Sequence, residues 1–275
     1  MSKISVIGAG SVGATIANDL MIQGVASEIL LVDINAKKAK GEALDVYQGA
    51  PFQSPAIVRS GDYADVENSD IVIITCGMAR KPGQSRLDLA QTNVNILKSI
   101  TPEITKYAPD ATYVIVSNPV DILTYVFTKI SGIPEHQIIG SGTLLDSARL
   151  KCGVSDHFKV AQKNVHAYVF GEHGDTSFIP WSIANVSGAD LDDYCGLARK
   201  IGHDVVEIDK EAMLTYVQKS GGQIIAKKGA TYYAIATSVC HLCRTLLSAY
   251  DTIVAVSTMM HGEYGVEDVC LSTLT

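Results

Sequence analysis

Gly8-Ala9-Gly10-Ser11-Val12-Gly13 spaces three glycines as a turn holding a diphosphate against the main chain needs them. The first glycine permits a sharp reversal, the second lets a pyrophosphate approach the backbone, and the third lets the following helix lie close to the preceding strand. The helix that this turn opens would present unpaired N–H groups and about half a positive charge to the anion. Taken alone, the pattern also fits an ordinary glycine-rich turn. Its surroundings favour the chemistry: Ile4–Ile7 reads as a buried strand, Val12–Ile22 as a helix, and Asp33 ends the next strand-like run, twenty residues beyond Gly13. A carboxylate there accepts hydrogen bonds from adenosine ribose hydroxyls and repels a 2′-phosphate. No arginine occupies positions 34–36, so NAD is expected rather than NADP. Gly8, Gly10, Ser11, Val12, Gly13 and Asp33 are the candidate cofactor-binding residues.

A second set of residues could move protons and grip an anionic substrate. His173, in Gly171-Glu172-His173-Gly174-Asp175, is of the type whose charge changes near neutral pH, although an isolated histidine is more often structural. Asp146 and Arg149 stand three apart on a predicted helix and share a face. Asp175 competes with Asp146 as partner of His173, and spacing leaves the choice open. Arg80-Lys81-Pro82-Gly83-Gln84-Ser85-Arg86 forms a cationic loop, and Ser117-Asn118-Pro119 follows a strand. Cys240 and Cys243 have the spacing of a metal or redox pair. They fall inside a helical stretch with no second pair, so packing is expected there and no metal site.

The elements that must position these residues divide in two. Ile4–Ile7, Glu28–Val32, Ile71–Thr75, Thr112–Val116 and Gln137–Ile139 are apolar runs of strand length. They alternate with the helical stretches Val12–Ile22, Lys37–Tyr47, Leu87–Lys106 and Val120–Ile130, with a kink or new turn expected at Pro102. Continuous Val/Ile/Leu strands separated by helices predict an α/β fold, a Rossmann-type doubly wound parallel sheet over residues 1–141. Residues 142–275 read as an α+β substrate and catalytic domain. Its expected parts are a helix over Leu144–Cys152, a strand over Val165–Phe170, and helical stretches over Asp190–Gly202 and Ile208–Tyr250, the latter broken at Gly221-Gly222 and Gly229. Strands over Thr252–Ser257 and Glu267–Leu271 follow.

Composition narrows the function. With 47% hydrophobic and 19% charged residues, a chain of 275 can bury a large core. A net charge of −7, with no run of Lys or Arg longer than two, lacks the basic footprint of a nucleic-acid or anionic-membrane binder. No eighteen apolar residues run unbroken. The start shows no apolar stretch leading to a small-residue cleavage site, and six cysteines are dispersed, so a cytoplasmic protein is expected.

In their order along the chain, GAGSVG, SNPVD, LDSAR, GEHGD and GATYYAIA resemble the lactate/malate dehydrogenase family over essentially the whole length, nearest its bacterial L-lactate branch. The resemblance implies an NAD-dependent L-2-hydroxy acid dehydrogenase interconverting L-lactate and pyruvate. His173 would be proton donor and acceptor, and Asp146, rather than Asp175, would orient its ring. Arg149 would grip the substrate carboxylate, Arg86 would polarise the carbonyl, and Asn118 would serve both substrate and nicotinamide. Thr231 matches the lactate branch. Arg80 stands at the substrate-discriminating position where malate-specific members carry arginine, which makes L-malate dehydrogenase the alternative: a guanidinium pairs the second carboxylate of oxaloacetate. Lys151 and His166 fall where bacterial lactate enzymes bind the effector fructose 1,6-bisphosphate. A homo-oligomer, tetramer or dimer, is expected. Family members continue for a few dozen residues past the position of Thr275, so a truncated, NAD-binding shell without turnover is a further alternative.

Overall fold

The computed structural model describes residues 2–78, 86–202 and 204–275, with Arg86 and Leu87 described in backbone only. The first stretch runs β1 (Lys3–Ile7), α1 (Ser11–Ile22), β2 (Glu28–Val32), α2 (Ala36–Gln48), β3 (Ile57–Gly61), β4 (Ile71–Ile74), α3 (Arg86–Thr105), β5 (Thr112–Ile115), α4 (Val120–Ile130) and β6 (Ile138–Gly140). Then follow α5 (Leu144–Phe158), β7 (Val165–His166), β8 (Asn185–Val186), β9 (Ala189–Asp190), α6 (Leu191–Lys200), α7 (Lys210–Lys228), α8 (Tyr233–Leu246), β10 (Ala255–His261) and β11 (Glu267–Leu274).

These elements pack as two compact units. The first takes residues up to Ser141 together with Tyr232–Ile253 and Ser257–Cys270. Its sheet has the order β11-β10-β6-β5-β4-β1-β2-β3. The six strands from β3 to β6 are parallel, with Val6 opposite both Leu31 and Ile73. Every residue of β4 is buried, as in a strand covered by helices on both faces. Between sheet and helices, the Tyr113 and Phe127 rings meet at 4.9 Å, and the Tyr113 hydroxyl donates to the Ala108 carbonyl at 2.9 Å, so the buried phenol keeps a partner. β10 joins β6 antiparallel, Ser257 facing Gly140. α8 packs on α1, where the Thr237 hydroxyl donates to Asp19 at 2.9 Å and Arg244 to Gln23 at 2.6 Å.

The second unit comprises Gly142–Thr231 with Val254–Val256 and Leu271–Thr275. A small antiparallel sheet, β7-β8-β9, and α5, α6 and α7 enclose a core that includes Leu150, Val154, Val169, Ile179, Val186 and Val217. α5 and α7 approach closely where Gly153 faces Met213 and Tyr216.

Several elements differ from expectation. β3 was not anticipated, because it is an edge strand whose Ile57 is exposed and whose remaining residues mix apolar with polar. α3 continues through Pro102 as one helix. α5 runs on through Gly153 to Phe158. α7 passes through Gly221-Gly222 without a break and stops at Gly229, which takes a left-handed φ of 85°. α8 ends at Leu246, short of Tyr250. The strand expected over Val165–Phe170 shortens to two residues, and the hydroxyls of Thr143, just before α5, and Ser147, within it, take the main-chain groups of Val169. No described helix is long and apolar enough to cross a membrane.

Candidate active site

The glycine turn joins β1 to α1. Gly8 has a φ of 109°, and a Cβ there would stand 2.8 Å from both the Cys76 nitrogen and Thr75 Oγ1. A Cβ on Gly13 would collide with the Gly8 carbonyl, which already accepts the Thr75 hydroxyl at 2.9 Å. The first and third glycines are thus demanded by the protein's own packing. Gly10 differs: a Cβ there meets nothing within 4 Å, and α1 starts beside it with no side-chain cap. Open space over an uncapped helix N-terminus fits the pyrophosphate of a dinucleotide, with Ser11, Val12 and Gly13 supplying the first N–H groups.

Asp33 follows β2, and its Oδ2 accepts the Ala9 N–H at 2.7 Å while Oδ1 accepts the Asn35 N–H at 2.8 Å. The carboxylate therefore braces the glycine turn, a role the sequence reading missed. Each oxygen retains acceptor capacity for ribose hydroxyls. Beyond β5, Asn118 precedes a cis proline, and its carbonyl accepts from Asn93 Nδ2 at 2.7 Å. The same Asn93 amide donates to the Met78 carbonyl and accepts the Met78 N–H. Asn93 also escaped the sequence reading. The signal was a polar residue within the apolar stripe Ala90, Leu97 and Ile100 of α3.

In the second unit, the first turns of α5 carry Asp146 and Arg149 on one face. Asp146 Oδ1 receives Arg149 Nη1 at 2.6 Å, and Oδ2 lies 2.5 Å from His173 Nδ1. Of the two carboxylates that spacing left open, Asp146 is hydrogen bonded to the ring. The Asp146 side chain is 7% exposed, Arg149 13% and His173 28%, so a buried anion supports two progressively more accessible groups. Burial pushes the Asp146 carboxyl upward. The hydrogen bond and charge of His173, then those of Arg149, outweigh burial and hold it below the usual carboxylate range. Gln218 of α7 donates to the Asp175 and Ser177 carbonyls at 3.2 and 3.1 Å, pinning the limb that follows His173. Gly221 lies against the Arg149 guanidinium, where a Cβ would stand 3.4 Å from Nη2.

Other expected residues fall elsewhere. Thr231 sits in the connection between α7 and α8. Lys151, on α5, holds its ammonium 5.3 Å from the centre of the Tyr168 ring, and burial lowers its pKa. His166 belongs to β7 and is exposed. Arg80 and the Arg86 side chain lie outside the described residues. Cys240 and Cys243 are free and buried in α8, and burial raises the Cys240 thiol to about 11. Among the described residues, no three His, Cys, Asp or Glu side chains gather as a metal site would require.

Residues 2–140 match the family model for the lactate/malate dehydrogenase NAD binding domain, and residues 143–274 match that for its alpha/beta C-terminal domain. The chain belongs to the lactate/malate dehydrogenase family. It is an NAD-dependent dehydrogenase acting on a small 2-hydroxy or 2-keto acid. The L-lactate dehydrogenase 1 of Clostridium acetobutylicum is 47% identical over 268 residues, covering 98% of this chain and 85% of the relative. Among solved structures, a lactate dehydrogenase from a Medee basin deep-sea metagenome library superposes with a TM-score of 0.94 at 35% identity, covering 99% of this chain and 86% of that one. The minor L-lactate dehydrogenase of Enterococcus mundtii gives 0.93 at 35% identity, covering 100% and 86%.

Proposed function

We propose that this dehydrogenase interconverts L-lactate and pyruvate, with His173 as proton carrier. The observation that carries the proton role is Asp146 bonded at once to His173 Nδ1 and Arg149. With Nδ1 held as donor to a carboxylate, the exchangeable proton resides on Nε2, and the anion stabilises the imidazolium that reduction of a ketone requires. Nδ1 remains bonded throughout, so the ring keeps one orientation while Nε2 gives up or accepts its proton. Arg149 pairs the substrate carboxylate in a two-pronged fashion, which fixes the face of the reacting carbon. Arg86 polarises the carbonyl oxygen as charge develops on it, and Asn118 donates to that oxygen. When bound at Gly8–Gly13 and Asp33, the nicotinamide cofactor supplies or accepts the hydride. The division of labour follows residues 1–141 for the cofactor and 142–275 for the acid–base and carboxylate groups.

Lactate is favoured by the L-lactate dehydrogenases among the relatives and by Thr231. Arg80 supports malate as the second reading, because a guanidinium left without a second carboxylate is uncompensated. NADH oxidation with pyruvate and oxaloacetate side by side decides between them. Faster pyruvate turnover is expected, and faster oxaloacetate turnover refutes the lactate assignment. Parallel measurements address the remaining readings. Activation by fructose 1,6-bisphosphate tests Lys151 and His166, for which Tyr168 already provides Lys151 with an ordinary packing reason. Light scattering tests the homo-oligomer, and fractionation of the producing cell tests a cytoplasmic location. His173→Asn abolishes turnover and leaves NADH binding in place; equal loss of both refutes the proton role.

A further inference from the structure

Thr143, Asp146 and Ser147 stand at i, i+3 and i+4 and present one face of α5. Asp146 meets His173, and its two neighbours meet the backbone leading to that histidine. The Thr143 hydroxyl donates to the Val169 carbonyl, and Ser147 Oγ accepts the Val169 N–H at 2.9 Å. Both main-chain groups of Val169 are thus bound to the helix that carries Asp146 rather than to a neighbouring strand. A third hydroxyl completes the arrangement. Ser272 Oγ accepts the Thr143 N–H at 3.0 Å, while the Ser272 main chain pairs with both groups of Gly171 at 2.9 and 3.0 Å.

All three hydroxyls lie in the interior: Thr143 and Ser272 are 0% exposed and Ser147 3%. Thr143 occupies the N-cap position of α5, where a threonine ordinarily turns its oxygen to the helix's unpaired N–H groups. Here no side-chain cap forms, and the hydroxyl serves Val169 instead. The local preference of the helix is overridden in favour of the segment two to four residues before His173.

We propose that Thr143, Ser147 and Ser272 are positioning residues that set the His173–Asp146 separation, a proposal that rests on the reading of His173 as proton carrier. The hydroxyls fix the origin of the His173 loop against the helix carrying its carboxylate. Loosening that origin lets the 2.5 Å contact lengthen and weakens support for the imidazolium.

Thr143→Val, Ser147→Ala and Ser272→Ala each remove one hydroxyl, and Thr143→Ser and Ser147→Thr restore it. Each variant is measured for melting temperature, NADH affinity by fluorescence, kcat for pyruvate or oxaloacetate, whichever the wild type turns over faster, and the pH profile of kcat/KM. The expected result is a fall of about tenfold in kcat, with the limb for loss of the protonated histidine moved to lower pH. NADH affinity stays within about twofold, and the hydroxyl-bearing variants recover activity. In an Asp146→Asn background, the same substitutions lose most of their effect, since the contact they set is already gone. Wild-type kcat and pH profile in folded Thr143→Val and Ser147→Ala proteins overturn the proposal. So do losses of equal size with and without Asp146, the mark of a general structural defect. His173→Asn separates the two levels: turnover that survives it overturns the proton-carrier reading and this proposal with it. Turnover that vanishes there, beside unaffected hydroxyl variants, overturns only the positioning role.

Discussion

Replacing Asp146 by asparagine tests the chemistry most directly, because both carboxylate oxygens are in use. Oδ1 receives Arg149 and Oδ2 faces His173 Nδ1. Asparagine offers one oxygen and one amino group. A guanidinium cannot accept a hydrogen bond, so the amide oxygen turns to Arg149 and the amino group faces the ring. Nδ1 must then act as acceptor, and the imidazolium, which carries a proton on both nitrogens, meets a donor. A lost charge-assisted hydrogen bond is worth about 1.5–3 kcal/mol, or about one to two pH units. The protonated ring is the disfavoured form, so the limb of the reduction profile that reports its loss moves to lower pH by that amount. At pH above the wild-type limb, kcat for keto acid reduction falls by about 10- to 100-fold from this effect alone, and by less below it. The assay is NADH absorbance at saturating NADH across pH 5–9, with NADH affinity measured alongside and expected within about twofold. An unmoved pH profile with kcat near the wild-type value would refute the assignment of Asp146. The same substitution has a stability signature. The folded carboxyl lies below its ordinary value of 3.8, so its contribution is present above that value and disappears as pH falls through the lower, folded one. The wild-type advantage over Asp146→Asn in thermal melts should therefore shrink in acid, and an advantage that grows in acid would contradict it.

Gly10→Ala should leave the melting temperature unchanged and weaken NADH binding at least tenfold, because the added methyl meets only space assigned to the pyrophosphate. Gly13→Ala should instead destabilise the protein by about 1–3 kcal/mol through overpacking, visible in urea denaturation without cofactor. Asp33→Ser should raise the NADP-to-NAD activity ratio and lower NADH affinity about tenfold or more, by loss of charged hydrogen bonds; an unchanged ratio removes the ribose role. Gly222→Ala should stabilise by about 0.5–1 kcal/mol, since its Cβ meets nothing within 4 Å in the interior of α7. A lowered melting temperature would show that the helix needs glycine there for another reason.

The sheet centre was legible because Ile4–Ile7, Glu28–Val32, Ile71–Thr75 and Thr112–Val116 are largely buried on both faces and show it as mainly apolar runs, with Ser5 and polar residues at some ends the exceptions. β3 lacked that signal, its apolar positions being split between the core and an exposed edge. The glycine turn and Asp33 were readable from spacing, but the bonds from Ala9 and Asn35 to Asp33 were not, since backbone donors leave no trace in residue type. Pairing of His173 with Asp146 came from the resemblance; the rings and carboxylates of residues 146, 173 and 175 offer no local rule that selects between the two acids. Gly221-Gly222 looked like a helix break, yet tertiary packing beside Arg149 carries α7 across it. The strand expected to reach Phe170 failed for a related reason, because the hydroxyls of Thr143 and Ser147 replaced a neighbouring strand as partners of Val169.

The first unit recruits α8 and part of the β10–β11 hairpin from far along the chain, and this imposes an order in time. As the polypeptide leaves the ribosome, residues 1–141 can assemble the six parallel strands from β3 to β6. The free edge of β6 and the face of α1 that receives α8 must wait for later residues. At ~5–20 residues per second, the interval between Gly140 and Ser257 lasts on the order of ten seconds. During that interval an unpaired strand edge and an apolar helix face stand open to other nascent chains. Completion of the cofactor unit therefore waits until most of the second unit has been made, and the order of the genetic message sets when its sheet can close.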